Sequence, residues 1–310
     1  MSTDSRGSDP LPAEHPIAAR SQAREALRAL VSHRIARACL VILALLALAG
    51  VFGAPLAPYG VNATDIPGRL QPPSTEHWFG TDELGRDVFS RVLAATGVSL
   101  KVGLIAVGIS LFAGVLIGLL GGYYGGLVDD ALMRVMDMLF AFPAVLLAIA
   151  ILAVLGPGVT NAMIAIGVVY VPIFARVTRA GVLAVREEVF VLAARSVGAG
   201  DLRIMASHIL PNVAGPVIVQ TSLSLAFAIL SEAALSFLGL GVQPPAPSWG
   251  RMLFDGRDFV QQAWWMGFFP GLAIFVTVLS FNIVGDALRD ALDPAQRSAI
   301  EARSTERAGR

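Results

Sequence analysis

A chain of 310 residues that is 55% hydrophobic and only 15% charged, with a mean hydropathy of +0.68, is too apolar for an ordinary soluble domain and must satisfy its backbone inside lipid. Its formal net charge of zero makes no electrostatic case for a nucleic-acid partner. The single cysteine, Cys39, excludes an intrachain disulfide and a cysteine-based metal site, and the lack of any Gly-Lys pair excludes a phosphate-cradling loop within the chain.

Residues 1–18 are polar and proline-containing, a composition expected to stay disordered. From Arg20 to Arg37 the chain is arginine-rich with interleaved Ala, Leu and Val, which fits a helix at the cytoplasmic surface or a merely charged flank, so residues 1–37 form an N-terminal tail. The uncharged run Ala38–Tyr59 is long enough to cross a hydrocarbon core of about 30 Å. Its length and the long polar lead before it favour an uncleaved anchor over a signal peptide. Residues 60–97 are polar and proline-bearing and are expected outside. They contain HWFGTDELGRDVFSR, His77 to Arg91. Asp82, Glu83, Arg86 and Asp87 follow Trp78 and Phe79, yet neither a nucleophile with its base nor a metal-ligand set is spaced there, and His77 beside Trp78 reads as a membrane-interface residue.

Residues 98–288 read as the main membrane domain. The second span is Val98–Leu120, where Gly103, Gly108, Gly114 and Gly118 offer faces for close helix approach. GGYYGGLVDDALMR, Gly121 to Arg134, makes a tight turn. The third span, Val135–Leu155, has Asp137 near its start and a kink at Pro143. Gly156-Pro157-Gly158 turns the chain into a fourth, antiparallel span, Val159–Ala175, interrupted by Pro172. The fifth span, Val213–Leu235, carries Glu232 near its far end. A carboxylate at the bilayer centre costs roughly 2.5 to 3.5 kcal/mol on insertion scales, so Glu232 either lines a pathway or bonds a neighbouring helix end. In SEAALSFLGLGVQPPAPSWG, Pro244, Pro245 and Pro247 stiffen an external loop, and Trp249, Trp264 and Trp265 suit the membrane interface. The sixth span, Met266–Val284, leads into GDALRDALDP and a polar tail, residues 289–310.

Between the fourth and fifth spans lies a polar interval, residues 186–212, REEVFVLAARSVGAGDLRIMASHILPN. Val189, Leu192, Ala193 and Ser196 recur at helical spacing, and Gly198 is suited to the left-handed residue just past a helix end. Ala199-Gly200-Asp201 supplies a turn and an N-cap, from which a second helix, Leu202–Ile209, runs until Pro211 ends it. Ala193 and Ala194 permit close backbone approach. Asp201 and Arg203 flank Leu202, Ile204 and Met205, a compact apolar knob with a charged rim that would fill a partner's groove. Seventeen of the 23 Lys and Arg residues lie in 1–37, 121–134, 176–212 and 285–310. The positive-inside rule then places those segments and both termini in the cytoplasm, with six spans.

Ala193, Ala194, Gly198, Leu210 and Pro211 fall in register with the pattern Glu-Ala-Ala, three residues, Gly, nine residues, Ile-x-Leu-Pro, while Leu192 and His208 depart from it. In this the interval resembles the cytoplasmic loop of permease subunits in binding-protein-dependent ABC importers. The strings His77–Arg91, Ser231–Gly250 and Gly285–Pro294 are similar to the dipeptide and oligopeptide branch of that family, which also holds permeases for nickel and glutathione. The resemblance implies an all-α protein of the inner membrane with the type I importer permease fold, a transport subunit and not an enzyme, with no cofactor of its own. It further implies four kinds of partner: a second related permease, two ATPase subunits that carry ATP and Mg, an external solute-binding protein and a peptide-like substrate. Residues Ala193 to Pro211 would then contact the ATPases. A secondary transporter driven by an ion gradient would need buried ionisable groups near the midplane, and the spans hold few.

Overall fold

The computed structural model describes residues 33–292, so the reading of residues 1–18 and most of the arginine-rich lead fall outside the described residues. In chain order the helices are α1 (Arg34–Leu56), α2 (Val88–Tyr124), α3 (Gly126–Phe140), α4 (Ala144–Leu155), α5 (Val159–Val185), α6 (Val189–Ser196), α7 (Asp201–Phe237), α8 (Trp249–Gly256) and α9 (Trp265–Leu292). Each of α1, α2, α5, α7 and α9 is long and apolar enough to cross a membrane, whereas α3 and α4 pass that test only together and meet at 92°. The third span is therefore a corner and not a kinked helix. Pro143 has no N–H to donate and disfavours helical geometry at the residue before it, so α3 stops at Phe140 and Pro143 becomes the N-cap of α4.

The other prolines behave differently. Pro172 lies inside an unbroken α5 that runs ten residues beyond Ala175, to Val185. Pro211 does not end the second loop helix, which is continuous with the fifth span as α7. Residues Ile204–Ile209 widen into a π-helical turn, closed by Leu210 N–H on Met205 O, and the α stretch restarts with Pro211 at its beginning. Pro211 therefore removes one bond from the ladder without ending the helix, the wider turn before it making room for the proline ring. The Asn212 side-chain amide donates to His208 O at 2.6 Å within the same turn.

The core of the bundle is the α2–α5 pair, whose packing is the most extensive between any two helices described. Glycines set its depth. A Cβ on Gly114 would collide with Phe174, one on Gly118 would lie 2.5 Å from Ala175 O, and one on Gly122 would lie 2.7 Å from Val182 Cβ. The i, i+4 spacing of these three lets the backbones touch, which in lipid replaces the hydrophobic drive available in water. Gly103 packs against Ile229 of α7, but Gly108 has nothing within 4 Å and is not a contact glycine. Gly118→Val should therefore wedge α2 from α5 at a cost of about 1 to 3 kcal/mol or more, while Gly108→Val should not. Size-exclusion profiles and melting of the detergent-extracted chain check this, and identical behaviour of the two variants would refute it.

Two of the three tryptophans expected at the lipid interface are inside the protein. Trp249 and Trp265 are buried, their indole N–H groups donating to Val92 O at 3.3 Å and Thr81 O at 3.0 Å. Each pins α2 or its lead-in to the α8–α9 region, and only Trp264, 53% exposed, is free to meet lipid headgroups. Cys39 is buried beside Ala36 of α1 and Val284 of α9, a small apolar residue in a helix contact.

Candidate functional site

The polar interval folds into a small layer against one end of the bundle. α6 ends in two reversed hydrogen bonds, Gly198 N–H to Arg195 O at 3.0 Å and Ala199 N–H to Ala194 O at 3.1 Å. This is a Schellman turn, and Gly198 takes the left-handed conformation it needs, with φ of 80°. Ala194 and Ala199, the flanking positions of that turn, both pack inward.

Packing sorts the interval into two faces. Val191, Ile204, Met205 and Ile209 are buried against Leu119 and Tyr123 of α2, Val182 of α5 and Val213 of α7, with Leu210 half-buried beside them. The opposite face holds Ala193, Gly198, Gly200, Asp201, Arg203 and Pro211, all exposed. Large apolar side chains stand out on it: Val197 is 86% and Leu202 78% exposed, with Val189, Phe190 and Leu192 alongside. The knob thus differs from the sequence expectation, because Ile204 and Met205 anchor it from within and Leu202 alone of the three projects. Asp201 also differs. Gly200 is the N-cap, with no side-chain cap bond, and the Asp201 carboxylate instead accepts from the Tyr123 hydroxyl at 2.7 Å.

Further contacts fasten this end of the bundle. Arg186 donates to Gly122 O at 2.9 Å. Arg179 of α5 grips Asp129 of α3 through two nitrogens, and Arg176 reaches Asp137 at 2.7 Å while lying over the Phe140 ring. These pairs hold α3 across the end of α5. Sequence reading counted Arg176, Arg179 and Arg186 only as charges, since their partners lie far away in the chain.

Glu232 sits in the other half of the bundle, with no exposed surface. Its oxygens accept from Ser99 Oγ of α2 at 3.1 Å and Ser236 Oγ at 2.7 Å. Those two hydroxyls in turn accept from the backbone N–H of Trp249 at 3.3 Å and of Val242 at 3.0 Å. The carboxylate is thereby the centre of a closed polar knot joining α2, α7 and α8, and it faces no open channel in this conformation.

Residues 57–87 form a cap over the same half. Asp87 is the N-cap of α2 and also bonds His77 Nδ1 at 2.9 Å, while the His77 ring lies 4.7 Å from that of Tyr59. His77 is accordingly part of the cap's packing and not a membrane-interface side chain. Asp82 binds Arg86 at 2.6 Å and lies 3.5 Å from Arg91, and Arg86 binds Glu83 at 2.8 Å. Burial, and then the adjacent Asp82 carboxylate, push the Glu83 carboxyl above its usual range. Among the described residues no group of three or more His, Cys, Asp or Glu side chains could hold a metal ion.

Long apolar helices meeting in glycine-lined contacts, with a structured polar loop at one end, define a multi-pass membrane protein with an exposed loop face. Residues 114–298 match the family described as binding-protein-dependent transport system inner membrane component, and residues 21–73 match the N-terminal TM domain of oligopeptide transport permease C. The chain belongs to this family of inner-membrane ABC importer permeases, in its peptide branch: it is a transport subunit of the cell membrane and not an enzyme. It is 47% identical over 93% of its length, and 94% of the relative's, to the dipeptide transport system permease protein DppC of Alkalihalophilus pseudofirmus. Identity is 45% to the probable D,D-dipeptide transport system permease protein DdpC of Escherichia coli, covering 82% of this chain and 85% of that one. It is 44% to the glutathione transport system permease protein GsiD of Pectobacterium atrosepticum, covering 87% and 90%. Among solved structures the MetNI methionine ABC transporter in an inward-facing conformation matches with a TM-score of 0.54 at 15% identity, covering 66% of this chain and 96% of that chain, a likeness of fold.

Proposed function

We propose that this chain is one of two permease subunits of an importer that moves di- or oligopeptides inward, powered by two ATPase subunits and supplied by an external solute-binding protein. The observation that carries this is the exposed loop face, where Val197 and Leu202 project from a rigid turn with no function inside the subunit itself. Exposed apolar side chains rimmed by Asp201 and Arg203 suit a protein groove. Leu192, where the family often has Glu, adds to the apolar part of that face.

In this reading residues 1–37 are a cytoplasmic tail, 38–59 the anchor, 60–97 the external segment, 98–288 the permease domain and 289–310 the second tail. ATP and Mg bind to the ATPases, whose closure drags the loop. Because α5 enters the loop and α7 leaves it, both move with it, and the bundle passes from inward-facing to outward-facing. The substrate enters between the two permeases. Differential contact of the loop with open and closed ATPases supplies the free energy of that shift.

The test is uptake by proteoliposomes holding both permeases and both ATPases, with the binding protein outside. ATP-dependent uptake of a dipeptide, insensitive to ionophores, is expected. Uptake of glutathione or nickel alone would reassign the substrate, and dependence on an ion gradient would reassign the class. Sidedness is checked with single cysteines at Trp78, Val260 and Leu202 after replacement of Cys39. An impermeant thiol reagent should label the first two in intact cells and the third only after lysis, and the reverse pattern would invert the topology.

A further inference from the structure

We infer that Tyr123 is a positioning residue for energy coupling: its hydroxyl latches the loop to the end of α2, so that loop movement drives the α2–α5 core and not α5 and α7 alone. The inference rests on the importer reading above. The sequence GGYYGGLVDDALMR looks like a plain turn, but four of its groups are engaged with the loop or with the helix that enters it. Tyr123 donates to Asp201 at 2.7 Å and is a buried residue in the cluster that holds Val191, Ile204, Met205 and Ile209 of the loop. Gly122 O accepts from Arg186 at 2.9 Å, the residue that caps α5. Gly122 also admits Val182 of α5, and Asp129 holds Arg179 of the same helix.

The site of the latch matters. Asp201 lies next to Leu202, the most outward apolar residue of the second loop segment, so a pull on Leu202 loads the Tyr123–Asp201 bond within one residue. Without the bond, the segment is held to α2 and α5 only by the apolar packing of Ile204, Met205 and Ile209, which has no directional tie, and its π-helical turn at Ile204–Ile209 is free to take up the displacement by rewinding to α geometry. With it, the displacement reaches α2, which carries the glycine contacts with α5. A carboxylate acceptor makes this bond stronger than one between neutral groups.

Tyr123→Phe keeps the buried ring and removes only the donor. In the reconstituted complex it should leave membrane abundance and ATPase copurification intact while lowering solute moved per ATP at least about tenfold, the scale expected for losing one hydrogen bond to a charged group. Asp201→Ala should lose coupling to the same degree, the double variant no more than either single, and Asp201→Asn, which still offers an oxygen, should restore it. Amide hydrogen exchange at residues 199–205 should rise in Tyr123→Phe and Asp201→Ala but not in Asp201→Asn. Additive losses in the double variant, or loosened exchange with normal coupling, would overturn the inference. Absence of ATP-driven uptake in the unaltered complex would instead remove the importer reading, and is told apart because it needs no substitution at Tyr123.

Discussion

Glu232→Ala should strip the membrane of correctly assembled chain, whereas Glu232→Gln should largely retain it. The carboxylate has no exposed surface, and the hydroxyls of Ser99 and Ser236 both spend their protons on it. Removing it orphans two buried donors, each at a cost of about 1 to 3 kcal/mol, and leaves a cavity between α2, α7 and α8. Against a total stability of roughly 5 to 15 kcal/mol, that loss is large. Gln keeps one acceptor oxygen and fills the same space, and its NH2 can donate to the second serine, so that serine's own proton and the second amide hydrogen must find new partners. A penalty of about 1 to 3 kcal/mol, without a cavity, is expected. Glu187→Ala supplies the contrast: its side chain is 70% exposed and paired only with Arg186, a contact worth about 0 to 1 kcal/mol. Melting and membrane abundance of the three variants, followed by fluorescence-detected size exclusion, measure the order Ala far below Gln and Glu187→Ala near wild type. If Glu232→Ala melts with the wild type, the polar knot does not hold the bundle together.

What could be read from residue order alone was what depends on local composition. Charge-free runs marked the helices. The spacing of Gly198 and Pro211 located the loop. What escaped depends on partners distant in the chain. Pro143 reads as a kink from its own neighbourhood, but α3 is laid across α5 by Arg176 and Arg179 meeting Asp137 and Asp129, 39 and 50 residues away. Trp249 and Trp265 have the composition of interface residues, and only the approach of Val92 and Thr81 to their indole nitrogens makes them interior. Gly122 was hidden in a turn-like string, although its spacing from Gly114 and Gly118 was the available signal. Asp201 has the residue type of an N-cap, a role it gives up because Tyr123, 78 residues earlier, offers a buried donor.

Gly198→Val should leave a chain that inserts, assembles and binds ATPase subunits weakly or in the wrong pose, with hydrolysis uncoupled from uptake. With φ at 80°, any residue carrying a Cβ meets a backbone cost of about 1 to 2 kcal/mol, and a β-branched one fits worst. No atom lies within 4 Å of the position a Cβ would take, so the penalty is conformational and not a collision, and the bundle core is untouched. The chain can relieve it only by giving up the Schellman bonds from Gly198 and Ala199, which swings Gly200 and Asp201 and so re-aims Leu202. Gly198→Asn should be milder, since Asn tolerates the left-handed region better than Val. Leu202→Asp attacks the same contact without bending the backbone, by placing a charge where a groove expects an apolar side chain, a loss of several kcal/mol at a buried site. ATPase copurification, solute-stimulated hydrolysis and uptake, measured together on reconstituted complexes, separate the two effects. Both variants should fail in uptake while the bundle melts as wild type. Should both retain their ATPases and transport at the normal rate, the exposed face of this loop is not where the ATPases act, and the docking surface must be sought elsewhere on the arginine-bearing end.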